Sequence, residues 1–475
     1  MHRIQNINSI LPYLGLCIFS YLFVESILQT LYADMTKTVI LITLSPLFFI
    51  FLYVQSKVGI ERLFQYSLFF FWFPVPFVLS KYIIFKNILL FEAIIWFFFI
   101  FIIANKTNVR GRLKQFPYVP FLVYISGALL TFFFSSHRTG LEISTIRLLC
   151  IFPMFFCMTI FVSTTSSKDI NHLFWVMLIS GTCLSILFSF GPKSLSFVQE
   201  TDYAVGLGRL SMQFDLPYMG EIRILPTTIG TVLSFLSIIA YNYWLFNTNR
   251  LTNMFSIVAI IIFTVSFVFA QARGASVAFI VSCLAITTIG MKIGIVPKRT
   301  ALIKLTIPLL ILVAGSVYFA IQSENIQIYD RLFTLLHEPT SDTNYLGRLE
   351  RWEEGLITIL KDPLGVGLWG FHTSPDGDSW DVHNLWLFLG LSYGIIGLFG
   401  FVWILICFLK VFIKGLKNKD LLIQQLSLTG MGMIIVIVIA GMFSPLVWEP
   451  YTVTPFWVPM TALFALIKSV QERST

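Results

Sequence analysis

Three residues in the C-terminal third carry side chains suited to chemistry on a charged substrate: Arg348, Arg351 and His383. Two arginines three apart share a face if their segment is helical, and planar guanidinium forks suit phosphate groups. His383, of a residue type that titrates at about 6.5, is a candidate proton acceptor near neutral pH. Arg273 stands at a tight break between two apolar segments, where a cation is costly unless it is paired or used. Arg209 and Arg223 lie in an earlier polar stretch. Each has a plainer reading. A histidine at a helix start is often a cap or an interfacial residue. Arg348 and Arg351 could pair with Glu350, Glu353, Glu354 or lipid phosphate, and Arg147 could pair with Glu142 inside a helix.

Two long polar segments hold these residues. The first, 191–223, contains Lys193, Arg209 and Arg223. The second, 322–383, holds 11 of the 24 acidic residues, four basic residues and three of the six histidines. Loops this long that are neither linkers nor low-complexity usually carry function. Within the second, Ser341-Asp342-Thr343-Asn344 offers helix caps, and 347–360 reads as a helix ended by Asp362-Pro363. Leu349, Trp352, Leu356, Ile359 and Leu360 form its apolar stripe, so it is expected to lie on the membrane surface or against a bundle. A Gly and aromatic turn follows, Gly365 to Phe371, then a polar stretch, and His383-Asn384 open the next apolar segment. His337 and His372 read as ordinary loop histidines. The Gly-rich turn has no Lys-Ser/Thr after it and is no P-loop.

The elements that must position these groups are membrane helices. The chain has 475 residues, 57% hydrophobic and only 12% charged, too little charge to cover a soluble protein of this length. Apolar runs of about 20 residues fit a hydrocarbon core ~30 Å thick. Such runs lie near 10–27, 38–54, 64–80, 88–104, 117–134, 141–163, 172–190, 224–245, 254–270, 275–291, 305–321, 384–409, 422–442 and 452–467. The fold class is thus an all-α polytopic membrane protein of about fourteen spans (12–14), with one large extracytoplasmic loop containing short helices. The first run has no small-residue cleavage site after it and reads as a retained helix.

With a cytoplasmic N-terminus, the cytoplasmic pieces hold 19 Lys and Arg and the longer opposite pieces 12. The basic clusters at 106–114, 292–304 and 410–419 then share one side, as the positive-inside rule requires. Both termini are expected in the cytoplasm and 322–383 outside. The net charge of +8 reports topology and anionic lipid, with no need for nucleic acid. All six cysteines fall inside apolar segments, so neither disulfides nor a thiolate metal site are expected.

Arg348 and Arg351 with Trp352, then Asp362-Pro363-Leu364-Gly365-Val366-Gly367, then His383-Asn384-Leu385-Trp386 running into Gly390, Gly394 and Gly397, form a pattern that resembles the O-antigen ligase and O-antigen polymerase superfamily. Gln271-Ala272-Arg273-Gly274-Ala275 is similar to the family's Ser-Arg-Gly element, with Ala for Ser. Arg209-Leu210-Ser211 is similar to its Arg-containing segment, without the usual Gly-Asn-Pro-Asn. Arg209 and Gly220 satisfy an Arg–ten residues–Gly spacing found in some polymerases. The resemblance is strongest over 345–400 and covers about 200–400. The apolar runs divide the chain into helices over 1–321, the loop over 322–383, and three last helices over 384–475.

The resemblance implies a GT-C-like, metal-independent glycosyltransferase of the bacterial inner membrane. It would move an oligosaccharide en bloc from undecaprenyl diphosphate to an acceptor glycan, either a second lipid-linked chain or the lipid A core, with no cofactor. It also implies His383 as base, Arg209, Arg223, Arg273, Arg348 and Arg351 as diphosphate or substrate ligands, and a chain-length regulator as partner. Three other readings stand beside it. A flippase for lipid-linked oligosaccharides would show repeated halves, whereas the loops here are lopsided. A metal-dependent GT-C transferase could use Asp376-Gly377-Asp378, although the first external loop, where such enzymes carry their acidic motif, offers only Asp34. The last is a structural subunit of an export complex.

Overall fold

The computed structural model describes residues 83–85, 88–89, 117–135, positions scattered through 174–186, 197–201, 208–216, 220–224, 226–246, 249–270, 273–322, 343–367, 382, 384–443 and 450–474. The apolar segments near 10–27, 38–54, 64–80 and 141–163, and most of that near 88–104, lie outside them. The described elements, in order, are the hairpin β1 (Ile83–Phe85) and β2 (Ile88–Leu89), α1 (Tyr118–Phe134), and strands β3 (Phe197–Thr201), β4 (Gly208–Leu216) and β5 (Gly220–Ile224). Then come α2 (Pro226–Phe246), α3 (Arg250–Ala270), α4 (Arg273–Lys292), α5 (Lys298–Gln322), α6 (Thr343–Lys361), α7 (Leu385–Gly415), α8 (Leu421–Ala440) and α9 (Pro450–Ser474). Eight of these helices fall on apolar segments of the sequence and α6 on the expected loop helix. Among the described residues, Gly274–Lys292, Leu385–Gly415 and Leu421–Ala440 are long and apolar enough to cross a membrane.

Among the described residues helices dominate, as expected, and the additions to the all-α expectation are the short hairpin β1-β2 and a small antiparallel sheet in the first long loop, ordered β3-β4-β5. Its cause is legible in the residues. Arg209-Leu210-Ser211-Met212-Gln213-Phe214-Asp215-Leu216 alternates polar and apolar, the period of a half-buried strand. Pairing Glu200 with Arg209 and Gln213 with Arg223 puts Arg209 and Arg223 on one face of the sheet, since residues two apart share a face. β4 packs beside α2 and α3.

The bundle is held by close backbone approach and by polar links across helices, the means open to helices whose lipid surroundings are as apolar as their own side chains. α1 and α7 meet at glycine: a Cβ on Gly127 would stand 2.3 Å from Gly397 N, and one on Gly400 2.4 Å from Tyr124 N. The Tyr241 and Thr287 hydroxyls pair at 2.5 Å between α2 and α4. Ser282 donates to Gly432 O at 3.1 Å, joining α4 to α8. Trp457 of α9, fully buried, sits among Phe121, Phe401, Phe408 and Phe456 with ring centroids 4.9–6.3 Å away. Lys304 of α5 donates to Trp244 O and Leu245 O, closing the C-terminal end of α2.

Candidate functional site

Helix α6 begins at Thr343, inside the run of capping residues, and stops where Pro363 approaches. Helical periodicity puts Arg348, Trp352, Gly355 and Ile359 on one face with Arg351 at its edge. Gly355 and Ile359 are buried, and Arg348, Arg351 and Trp352 are half-buried. The Nε of Arg351 is shut off from solvent. Both arginines therefore turn toward the body of the protein, while Glu350, Glu353 and Glu354 stay exposed. The apolar stripe read from the sequence divides: Trp352 and Ile359 go inward, and Leu349, Leu356 and Leu360 remain exposed.

Trp352 fixes this face to the segment that precedes α7. Its indole Nε1 donates to Val382 O at 3.0 Å, and its ring packs against a small core of Ile359, Val366, Val382, Leu387 and Leu391. Asn384 is the N-cap of α7: its side chain accepts from Trp386 N at 2.9 Å and Leu387 N at 3.2 Å. The capping task at this helix start thus belongs to Asn384. Leu385 N donates to Gly441 O at 2.6 Å, which ties the start of α7 to the end of α8. His383 lies between Val382 and Asn384 and outside the described residues, as do His337, His372, Asp376, Asp378 and Asp381.

The turn after α6 is locked into a break in α7. At Gly394 the backbone is non-helical, φ 67° and ψ 179°, a region open in practice only to glycine. An unbroken helix would bond Ile395 N to Leu391 O. Here Ile395 N donates to Pro363 O at 2.9 Å, and Leu391 O accepts from Val366 N at 2.8 Å and Gly367 N at 3.1 Å. α1 supplies the other donors: Thr131 Oγ1 to Leu364 O, and Ser135 Oγ to Val366 O at 2.9 Å. A Cβ on Gly394 would meet Leu364 O at 2.6 Å, and one on Gly365 would meet Gly394 N at 2.7 Å. The glycines of the sequence pattern are therefore one joint between the loop and the bundle, one that satisfies the backbone groups freed by the break.

The contacts place the starts of several elements that carry candidate arginines near one another. Arg273 is the first residue of α4. A Cβ on the adjacent Gly274 would lie 2.7 Å from Phe443, two residues after the Gly441 that holds Leu385. Ser234 of α2 donates to Ala275 O at 3.1 Å, and α2 follows directly on β5, which carries Arg223. Arg209 enters through β4, which packs beside α2 and α3. Among the described residues no group of three or more His, Cys, Asp or Glu could hold a metal ion. Sequence reasoning missed the parts of Thr131 and Ser135. Their only signal was hydroxyls at the end of an apolar run. It also gave Trp352 only a place in a stripe.

Residues 258–402 match the O-Antigen ligase family model. The matched span encloses Arg273, α6, the glycine joint and the start of α7. It supports the O-antigen ligase and polymerase superfamily that the sequence pattern resembles, and with the apolar helices it supports a membrane protein of surface-polysaccharide synthesis. No curated protein matches the chain.

Proposed function

We propose that the chain is a membrane glycosyltransferase that moves an oligosaccharide en bloc from undecaprenyl diphosphate to an acceptor sugar, as a polymerase or as a ligase to lipid A core. The observation that carries this reading is the inward face of α6. Arg348 and Arg351 turn into the protein on the helix whose Trp352 holds Val382, next to His383, all within the span matched to O-Antigen ligase.

The chemistry follows from the donor. A glycosyl diphosphate already carries a good leaving group, so the site has two tasks. Guanidinium forks neutralise the departing diphosphate through paired hydrogen bonds, a role for Arg348 and Arg351 with Arg273 and, from the sheet, Arg209 and Arg223. A neutral imidazole takes the proton of the attacking acceptor hydroxyl as the new glycosidic bond forms and the sugar–diphosphate bond breaks. His383 has that role. None of these tasks calls for a metal ion, and transfer is expected to survive EDTA.

A deletion strain tests the reading through its surface glycans. One repeat unit on the core identifies a lost polymerase, and long chains left on the carrier lipid identify a lost ligase. A strain that lacks the surface glycan and accumulates carrier-linked oligosaccharide on the cytoplasmic face would replace this reading with a flippase.

A further inference from the structure

We infer that Thr131 and Ser135 of α1 are positioning residues for the proposed site, an inference that rests on the donor-binding role of Arg348 and Arg351. α1 lies outside the span matched to the family, residues 258–402. It nevertheless holds the turn that ends the arginine helix.

Hydroxyls in membrane helices commonly bond the carbonyl four residues back, as those of Thr182, Ser237, Thr264 and Thr461 do. Thr131 also reaches back, to Gly127 O at 3.0 Å, but shares its one proton with Leu364 O, 233 residues away. Ser135 is the C-cap of α1, and its hydroxyl donates to Val366 O at 2.9 Å. Two donors four apart, one fully buried and one half-buried, thus meet two carbonyls of one turn.

α1 is suited to keep that turn still. It is one unbroken helix. It packs backbone to backbone on α7 beyond Gly394, with Gly127 against Gly397 and Tyr124 against Gly400. The turn's bonds to α7 go to Leu391 O and Ile395 N, on either side of the break. There α7 lacks a bond of its own, so turn and break would shift as one unit unless α1 pinned them. The ring of Trp386 lies 6.1 Å from that of Phe401 and also joins the two parts of α7. Ring packing is non-directional, however, whereas a hydroxyl–carbonyl bond fixes distance and angle.

The effect reaches the arginines by leverage. α6 is held by the Trp352 bond to Val382 O and, at its end, by the turn. Between them Ile359 rests on Gly390, which has no side chain to stop it sliding. Trp352 lies eleven residues from Pro363 and four from Arg348, ~16 Å and ~6 Å along a helix. A swing of ~3 Å at the turn, one hydrogen-bond length, therefore moves Arg348 by ~1 Å. Misplacing a substrate-gripping group by ~1 Å costs up to ~100-fold in rate.

The test compares Thr131→Val and Ser135→Ala, singly and together, with Thr131→Ser and Thr264→Val, in the full chain in lipid nanodiscs. Valine keeps the shape of threonine and removes the hydroxyl. Thr264 is the control, because its hydroxyl bonds Ile260 O of its own helix. Spin labels on Val119→Cys and Glu350→Cys, both exposed positions, read the distance from α1 to the arginine end of α6. In the double variant the distance distribution should broaden, and donor binding and transfer should fall ~10- to 100-fold. Each single variant should fall between it and the parent. Thr131→Ser and Thr264→Val should match the parent throughout. An unchanged distribution in the double variant would overturn the inference, and so would a broadened one with parent binding and transfer. A parent chain that neither binds nor transfers donor would remove the reading on which the inference rests, and the inference with it.

Discussion

The indole of Trp352 donates to the carbonyl of Val382 at 3.0 Å, so the helix that carries Arg348 and Arg351 is bonded to the residue immediately before His383. The two chemical parts of the proposed site lie 32 residues apart in sequence, from Arg351 to His383, and this bond joins the helix of the first to the residue before the second. Its strength is that of one part-buried neutral hydrogen bond, supported by the packing of the ring against the small core around Ile359 and Val366.

Replacing the donor alone should separate these contributions. Trp352→Phe keeps an aromatic ring in the small core but leaves Val382 O without its partner, a loss of ~1–3 kcal/mol of local stability. Amide hydrogen exchange over 382–387 should quicken while exchange in α8 stays as in the parent. Unchanged exchange at 382–387 would mean that the bond does not hold this segment.

The glycine joint makes a contrast within one protein. Gly294 and Gly394 both have positive φ, 76° and 67°. A Cβ on Gly294 meets nothing within 4 Å, whereas one on Gly394 runs into the Leu364 and Pro363 backbone. Gly294→Ala should cost only backbone strain, ~1–3 kcal/mol. Gly394→Ala should cost more, because the loop must also move away and leave Leu391 O and Ile395 N unpaired. Thermal unfolding in detergent should show a clearly larger drop for Gly394→Ala; equal drops would argue against the joint.

Much of this was legible in the residues, and what was not has physical reasons. The apolar runs located eight of the described helices because a bilayer imposes their length. Ser341 to Asn344 and Asp362-Pro363 bracketed α6 because caps and proline act locally. The sheet over 197–224 was read only as a loop with turns, although β4 alternates cleanly, because a nine-residue strand is weak beside runs of twenty apolar residues. The joint at Gly394 could not be read at all. Its meaning depends on Thr131 and Ser135, more than 200 residues away, and on carbonyls that any sequence has. The roll of α6 was half legible: its stripe was named, but which leucines face protein and which face outward depends on the neighbouring helix.

The arginines of α6 should not tolerate lysine. If Arg348 and Arg351 each hold a diphosphate oxygen pair, Arg348→Lys and Arg351→Lys keep the charge and lose the fork. Losing one charged hydrogen bond costs ~1.5–3 kcal/mol, or about 10- to 100-fold in transfer rate or donor affinity. In membranes with matched protein levels, binding of lipid-linked oligosaccharide and its transfer should both fall. Full activity in both variants would leave the two residues as structural contacts of the helix.

The most direct test of the central claim is the transfer rate of His383→Ala, measured with purified protein in lipid nanodiscs alongside donor binding. The account gives His383 the proton of the acceptor hydroxyl and the arginines the donor. Transfer should therefore drop ~10²–10⁴-fold, the usual effect of removing a general base, while undecaprenyl-diphosphate oligosaccharide still binds. Parent activity should fall on acidification, as a neutral imidazole gains its proton. A His383→Ala protein that transfers at close to the parent rate, or one that has lost donor binding together with transfer, would contradict the account.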